Sequence, residues 1–65
     1  PTNNQLIINA PNQRVLRCTV LDVLGQEVAV FENTYKINLE EQTKGTYIVI
    51  IKTNKTSFTT HVLKN

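Results

Sequence analysis

The chain has 65 residues, with seven basic and five acidic side chains and a net charge of +2. A chain of this length forms one small domain, and its folding buries only about 60% of the surface that the unfolded form exposes. The small net charge and the scattered lysines and arginines argue against a nucleic-acid partner. The sequence also lacks the run of about 18 apolar residues that a membrane-spanning helix needs.

Short apolar runs separated by Gly, Asn and Pro predict a chain of six β-strands. After a turn at residues 1–4, the strands are predicted over residues 5–9, 14–23, 28–31, 34–39, 46–53 and 56–64. Gly25 is expected to take a positive φ in the turn after the second strand, and Asn54 with Lys55 is expected to form the last hairpin turn. The cluster at residues 39–42 is too short for a stable helix. This pattern indicates an all-β fold, a small antiparallel sandwich or barrel.

The last two strands form a terminal hairpin, residues 46–64, whose first strand is apolar on both faces. Since strand side chains alternate with a period of two, one face is expected to build the core. That face carries Tyr47, Val49, Ile51, Phe58 and Val62. Ile48 and Ile50 point the other way, so the strand is either covered on both sides or carries an exposed apolar surface.

Nucleophilic catalysis finds little support. Ser57, His61 and Asp22 are the only residues of their types, but Ser57 and His61 are four positions apart in a strand, which separates their backbones by about 13 Å. A pair of Cys18 and His61 is left open by spacing alone, although no nucleophile elbow accompanies it. We therefore expect no catalytic residue and no enzyme activity.

Metal and cofactor sites are equally weakly indicated. Glu40 and Glu41 are adjacent in a loop, where carboxylates are usually solvated, and no second pair faces them. One histidine and one cysteine on different strands are a poor start for a metal site. The two glycines do not form a phosphate-binding loop. We expect no cofactor.

Three features have two interpretations each. Cys18 cannot form an internal disulfide, because it is the only cysteine, and burial as a small apolar side chain is favoured over a reactive or intermolecular role. The triplet from Asn54 to Thr56 fits a glycosylation sequon, but a hairpin turn is favoured. The four aromatic residues are expected to pack in the core rather than to form a binding platform for sugars or single-stranded nucleic acid.

Three segments carry a resemblance to a known family. They are residues 20–28 (VLDVLGQEV), residues 37–39 (INL) followed by residues 44–49 (KGTYIV), and a last strand ending in residues 62–64 (VLK). In this order they are similar to the C-terminal sorting domains of the type IX secretion system of Bacteroidetes. Gln42 stands where that family usually has a leucine, so a less tightly packed loop over residues 40–44 is expected.

The resemblance implies an immunoglobulin-like β-sandwich of about six to seven short strands. It also implies a non-catalytic targeting signal that carries an upstream passenger protein through the periplasm to the outer-membrane translocon. The implied partners are translocon components, an outer-membrane shuttle protein and a sortase that cleaves the domain, unless the domain is retained. The passenger is then placed on the cell surface, attached to an anionic lipopolysaccharide, or secreted.

A mechanism follows if the terminal hairpin has an unpaired edge, because such an edge adds to a partner's sheet through main-chain hydrogen bonds. We expect the translocon to recognise Gly45, Ile48, Ile50, His61, Leu63 and Lys64. Residues 1–65 are interpreted as a single domain excised from a larger protein and lacking its first strand, which leaves an open sheet edge and predicts a homodimer. The alternatives are a structural or adhesive sandwich that packs through Ile48 and Ile50, and an accessory domain of a larger hydrolase.

Overall fold

The computed structural model describes residues 5–65, so the turn expected at residues 1–4 lies outside the described part of the chain. The strands are β1 (Gln5–Ile7), β2 (Val15–Leu21), β3 (Glu27–Glu32), β4 (Lys36–Asn38), β5 (Gly45–Thr53) and β6 (Ser57–Lys64). Residues 5–65 contain no helix, and therefore none that could span a membrane. The all-β prediction is confirmed.

The strands form two antiparallel sheets. A four-stranded sheet has the order β3-β2-β5-β6, and a two-stranded sheet pairs β1 with β4. The core lies between the sheets and draws on both, since Ile37 in β4 is as fully buried as Val20 in β2 and Val49 in β5. The architecture is thus the small six-stranded antiparallel sandwich that the sequence predicts, while the immunoglobulin-like connectivity stays a prediction.

Strand β2 ends earlier than the sequence pattern predicts, because Asp22 starts a turn. Its Oδ1 accepts hydrogen bonds from the backbone amides of Leu24 and Gln26, each with a donor–acceptor distance of 2.9 Å. Gly25 has a φ of 83°, which confirms the positive φ expected there. The prediction that residues 22 and 23 continue the strand is wrong, because the Asp22 carboxylate competes with the sheet for nearby backbone donors.

The turn between β5 and β6 is anchored to the start of β2. The amide of Arg14 donates to Oδ1 of Asn54 over 2.7 Å, and the amide of Asn54 donates to the carbonyl of Arg14 over 3.0 Å. The turn predicted at Asn54 and Lys55 is confirmed. The terminal hairpin is therefore held at its tip by the β1–β2 connection as well as by its own strand pairing.

The predicted core face is confirmed for Tyr47, Val49 and Ile51, which are buried, and in part for Val62, which packs against the core. Phe58 lies opposite Ile51 on the predicted face, yet it is 39% exposed and stays outside the core. The prediction that Phe58 is a core residue is wrong. Within residues 5–65 the covering sheet has two strands, and Phe58 lies on β6, at the edge of the larger sheet.

Candidate functional site

The outer face of the four-stranded sheet is the side that points away from β1 and β4. Strand register places Leu21, Ile48 and His61 in one row across this face. Ile50 lies in the next row and is 37% exposed, and Leu63 follows near the chain end at 46% exposure. The described part of the chain thus leaves this face uncovered. An exposed apolar surface, rather than a strand covered on both sides, is the arrangement found.

Four of the six residues expected to be recognised share that face. We call this set the outer patch: Ile48, Ile50, His61 and Leu63. Val30 of β3 extends the apolar surface, because it lies in the row of Ile50 and is also exposed. The structure therefore brings these four side chains onto one continuous surface.

Lys64 lies on the other side of the sheet. It pairs with Gly45, on the inner side shared by Val62, and it is buried. Its Nζ donates to the carbonyl oxygen of Glu40 over 3.2 Å and also to the carbonyl oxygen of Gln42. The Lys64 ammonium group is thus directed at the loop formed by residues 39–44, and it does not belong to the outer patch.

Gly45 contributes a backbone conformation. Its φ is 147°, in a region that residues with a side chain rarely adopt, and a Cβ built there meets no atom within 4 Å. The constraint on this position is therefore the φ angle at the start of β5. The structure gives Gly45 no side-chain surface to present to a partner.

Among the strands of residues 5–65, β6 pairs only with β5, so it forms a free edge of the four-stranded sheet. The amide of Thr53 donates to the carbonyl of Thr56 over 2.7 Å, which makes these residues a hydrogen-bonded pair at the turn. The β5–β6 register is unbroken, and bonded and non-bonded pairs alternate along antiparallel strands. The backbone groups that point away from the sheet consequently belong to Ser57, Thr59, His61 and Leu63.

The two edges of this sheet differ in their protection against further pairing. Strand β3 has Glu27 and Glu32 at its ends, and the register shifts where it pairs with β2, between Val20 and Leu21. Strand β6 has no acidic, lysine or arginine side chain from Ser57 to Leu63 and no register shift. Charges and bulges are devices that prevent unwanted edge pairing. β3 has both, and β6 lacks them over seven of its eight residues.

The sequence did not identify Ser57 and Thr59 as functional residues. Both present edge-facing backbone groups, and their side chains share the outer face with the outer patch. The sequence did contain one indication of a poorly protected strand edge, because residues 43–65 contain no acidic residue. That signal was ambiguous without the strand order, since it does not say which strand is at the edge.

The structure excludes the catalytic pair that spacing left open. Cys18 is completely buried on the inner side of β2, opposite Ile51, whereas His61 is exposed on the outer face of β6. Burial also raises the pKa of the Cys18 thiol, because the thiolate loses hydration. Among residues 5–65, His, Cys, Asp and Glu form no group of three that could hold a metal ion.

Comparison with known proteins identifies the family. A profile of the secretion system C-terminal sorting domain matches residues 1–65, while no curated protein and no solved structure matches the chain. The members of this family are sorting-signal domains, and the family is not known as a catalytic one. They are attached to a passenger and interact with the type IX machinery, and the passenger is exported across the outer membrane to the cell surface or released. The chain belongs to the family of type IX secretion C-terminal sorting domains.

Proposed function

We propose that the type IX translocon reads this domain by adding a strand to the free edge of β6 and by contacting the outer patch. The observation that carries the proposal is the contrast between the two edges of the sheet: β6 is unprotected, whereas β3, at the opposite edge, is protected by two glutamates. An edge that lacks charges and bulges is available to a partner strand. Recognition by strand addition is a common mode of peptide binding.

Main-chain bonds and side chains have separate roles in this mechanism. Each added backbone hydrogen bond contributes a net of about 0.5–1.5 kcal/mol and is independent of sequence. The outer patch supplies specificity, because Ile50, His61 and Leu63 are exposed next to the edge on one face. Lys64 and Gly45 support recognition indirectly, by fixing the open end of the β5–β6 hairpin, where they pair with each other.

The route that we propose starts in the periplasm, where an outer-membrane shuttle protein binds the folded domain, and ends at the translocon. A sortase then cleaves the domain from its passenger, or the domain is retained at the cell surface. The domain supplies a ligand in each of these steps, and the chemistry belongs to the machinery. This assignment is supported by family membership and by the burial of Cys18, the one thiol of the chain.

The experiment is an export assay with a fluorescent passenger fused to residues 1–65 in a type IX-competent bacterium. Thr59→Pro removes an edge-facing N–H without removing a bond to β5, and proline is tolerated at edge positions. We expect loss of surface delivery and accumulation in the periplasm. The matched control is Thr59→Val, which keeps the N–H and should be exported normally.

The folded state of the variant decides how the result is interpreted. Purified Thr59→Pro should show a cooperative unfolding transition, which demonstrates that the variant is folded. If it is unfolded, His61→Pro provides a second edge variant. A folded proline variant that reaches the surface as efficiently as the wild type would contradict strand addition to β6.

For the outer patch, Ile50→Glu should impair export, while Lys52→Glu, on an exposed neighbouring residue of β5, should not.

A second candidate function is supported by the exposure of Ile50 and Leu63. The outer face would then pack on a neighbouring domain or on a second copy, and the domain would serve as a structural or adhesive module. In that case export of the passenger would not depend on the outer patch. Analytical ultracentrifugation of the purified domain tests a homodimer formed through this face, which predicts a concentration-dependent mass that Ile50→Glu lowers.

A further inference from the structure

A groove lies between the two sheets along the β6 edge and has a volume of about 360 Å³. We call it the β1–β6 groove. Strand β1 contributes Leu6 and Ile7, Ile51 comes from β5, and β6 contributes Phe58 and Thr60. The groove is open on the side of Phe58, which stays outside the core and is 39% exposed.

The lining of the groove is uncharged and mostly apolar, with Asn9, Thr59 and Thr60 as its polar residues. Ile7 is 66% exposed and Phe58 is 39% exposed, although both are large apolar side chains. The described lining residues include no acidic or basic side chain. The molecule therefore carries, next to its unprotected edge, an apolar surface that its own described residues do not fill.

We propose that the β1–β6 groove receives alternate side chains of the partner strand that adds to β6, and that this strand is apolar at those positions. The inference rests on the proposed function, because it needs a strand on the β6 edge. A strand added there continues the plane of the sheet, so every second side chain points to the inner side, where the groove lies. The remaining side chains point to the outer face, beside His61 and Leu63.

The uncharged lining defines the chemistry of the occupant. A charged side chain in the groove would lose water without gaining a partner, which is unfavourable. Apolar side chains opposite Phe58 gain cross-strand contacts, for which β-branched and aromatic residues are the best partners. The occupant is therefore an extended strand with apolar residues at every second position, on a component of the export machinery.

The direct test is binding of a synthetic peptide of alternating Val and Thr, flanked by lysines for solubility, followed by amide chemical shifts. We expect shifts at β1 and β6 and a weakening of at least about tenfold, equivalent to about 1.4 kcal/mol, for Ile7→Glu, because its carboxylate would lose water against an apolar peptide. A peptide with Glu in place of Val should not bind. Val23→Glu, at an equally exposed apolar residue in the β2–β3 turn, is the matched control.

The export assay separates this inference from the function on which it rests. Ile7 is in β1 and takes no part in the backbone edge of β6. If Thr59→Pro blocks export and Ile7→Glu does not, the groove is not used and strand addition stands. Export of both variants overturns both proposals. Filling of the groove by a second copy, seen as self-association that Ile7→Glu abolishes while export continues, also overturns this inference.

Discussion

The ammonium group of Lys64 lies 3.2 Å from the carbonyl oxygen of Glu40, which is 24 residues earlier in the chain. It also donates to the carbonyl of Gln42. Because Leu39, directly before Glu40, is completely buried, Lys64 ties the end of the last strand to a loop that begins at the core. The hydroxyl of Tyr47 holds the same loop through the carbonyl of Thr43, over 2.7 Å. A basic residue at the end of a sorting signal thus has a structural role.

The first prediction concerns this contact. Lys64→Met keeps the length of the side chain and removes its donors, so the free energy of unfolding should fall by about 1.5–3 kcal/mol, the usual contribution of a hydrogen bond to a charged group. Urea denaturation measures the change, and amide hydrogen exchange should accelerate in residues 39–44. Lys55→Met, in the exposed hairpin turn, is the control and should be neutral. Unchanged exchange in the loop would show that Lys64 does not hold it.

Local patterns were sufficient for part of this structure. Alternation alone predicts that Tyr47, Val49 and Ile51 share a buried face, because the period of a strand is independent of its neighbours. The edge position of β6 depends on strand order, which local patterns do not contain, and so the exposure of Phe58 was missed. Lys64 was expected to be accessible, as lysines usually are. Its burial could not be predicted, because its hydrogen-bond partners are backbone carbonyls in a loop that is distant in sequence.

The second prediction concerns Gly45. Its φ of 147° is strained for any residue with a Cβ, and the surroundings leave space for a methyl group. Gly45→Ala should therefore destabilise the domain through the backbone alone, by about 1–3 kcal/mol. Thermal unfolding measures the shift, with Thr46→Ala as the control at the neighbouring exposed position. If Gly45→Ala melts at the temperature of the wild type, the backbone interpretation of this glycine is wrong.

The third prediction concerns the hairpin tip. Oγ1 of Thr53 accepts hydrogen bonds from the amide of Lys55, at 3.1 Å, and from the amide of Thr56, at 3.0 Å. The same hydroxyl donates a hydrogen bond to Oε1 of Gln13, at 2.8 Å. Thr53→Val has nearly the same shape and removes all of these bonds, so a loss of about 1–3 kcal/mol is expected from the groups left without partners. Thr46→Val, on the exposed side of β5, should be neutral. Equal midpoints of the two variants in urea would contradict the prediction.

The fourth prediction concerns pH and Cys18. Burial raises the pKa of its thiol above the ordinary value of 9.0, so the folded state holds the proton at pH values where the unfolded state releases it. The associated stability is complete below about pH 9, and it is lost as the pH rises through the folded-state pKa. The free energy of unfolding should therefore decline more steeply above pH 9 in the wild type than in Cys18→Ala, which lacks the thiol. Comparing slopes removes the constant cost of the smaller side chain and the shared titration of the lysines. Parallel slopes for the two proteins would mean that the thiol ionises as easily in the folded domain as in the unfolded chain.

A thiol reagent provides an independent readout: at pH 8 it should modify Cys18 only as fast as the domain opens, and Lys64→Met should accelerate the reaction if opening of the domain depends on that contact.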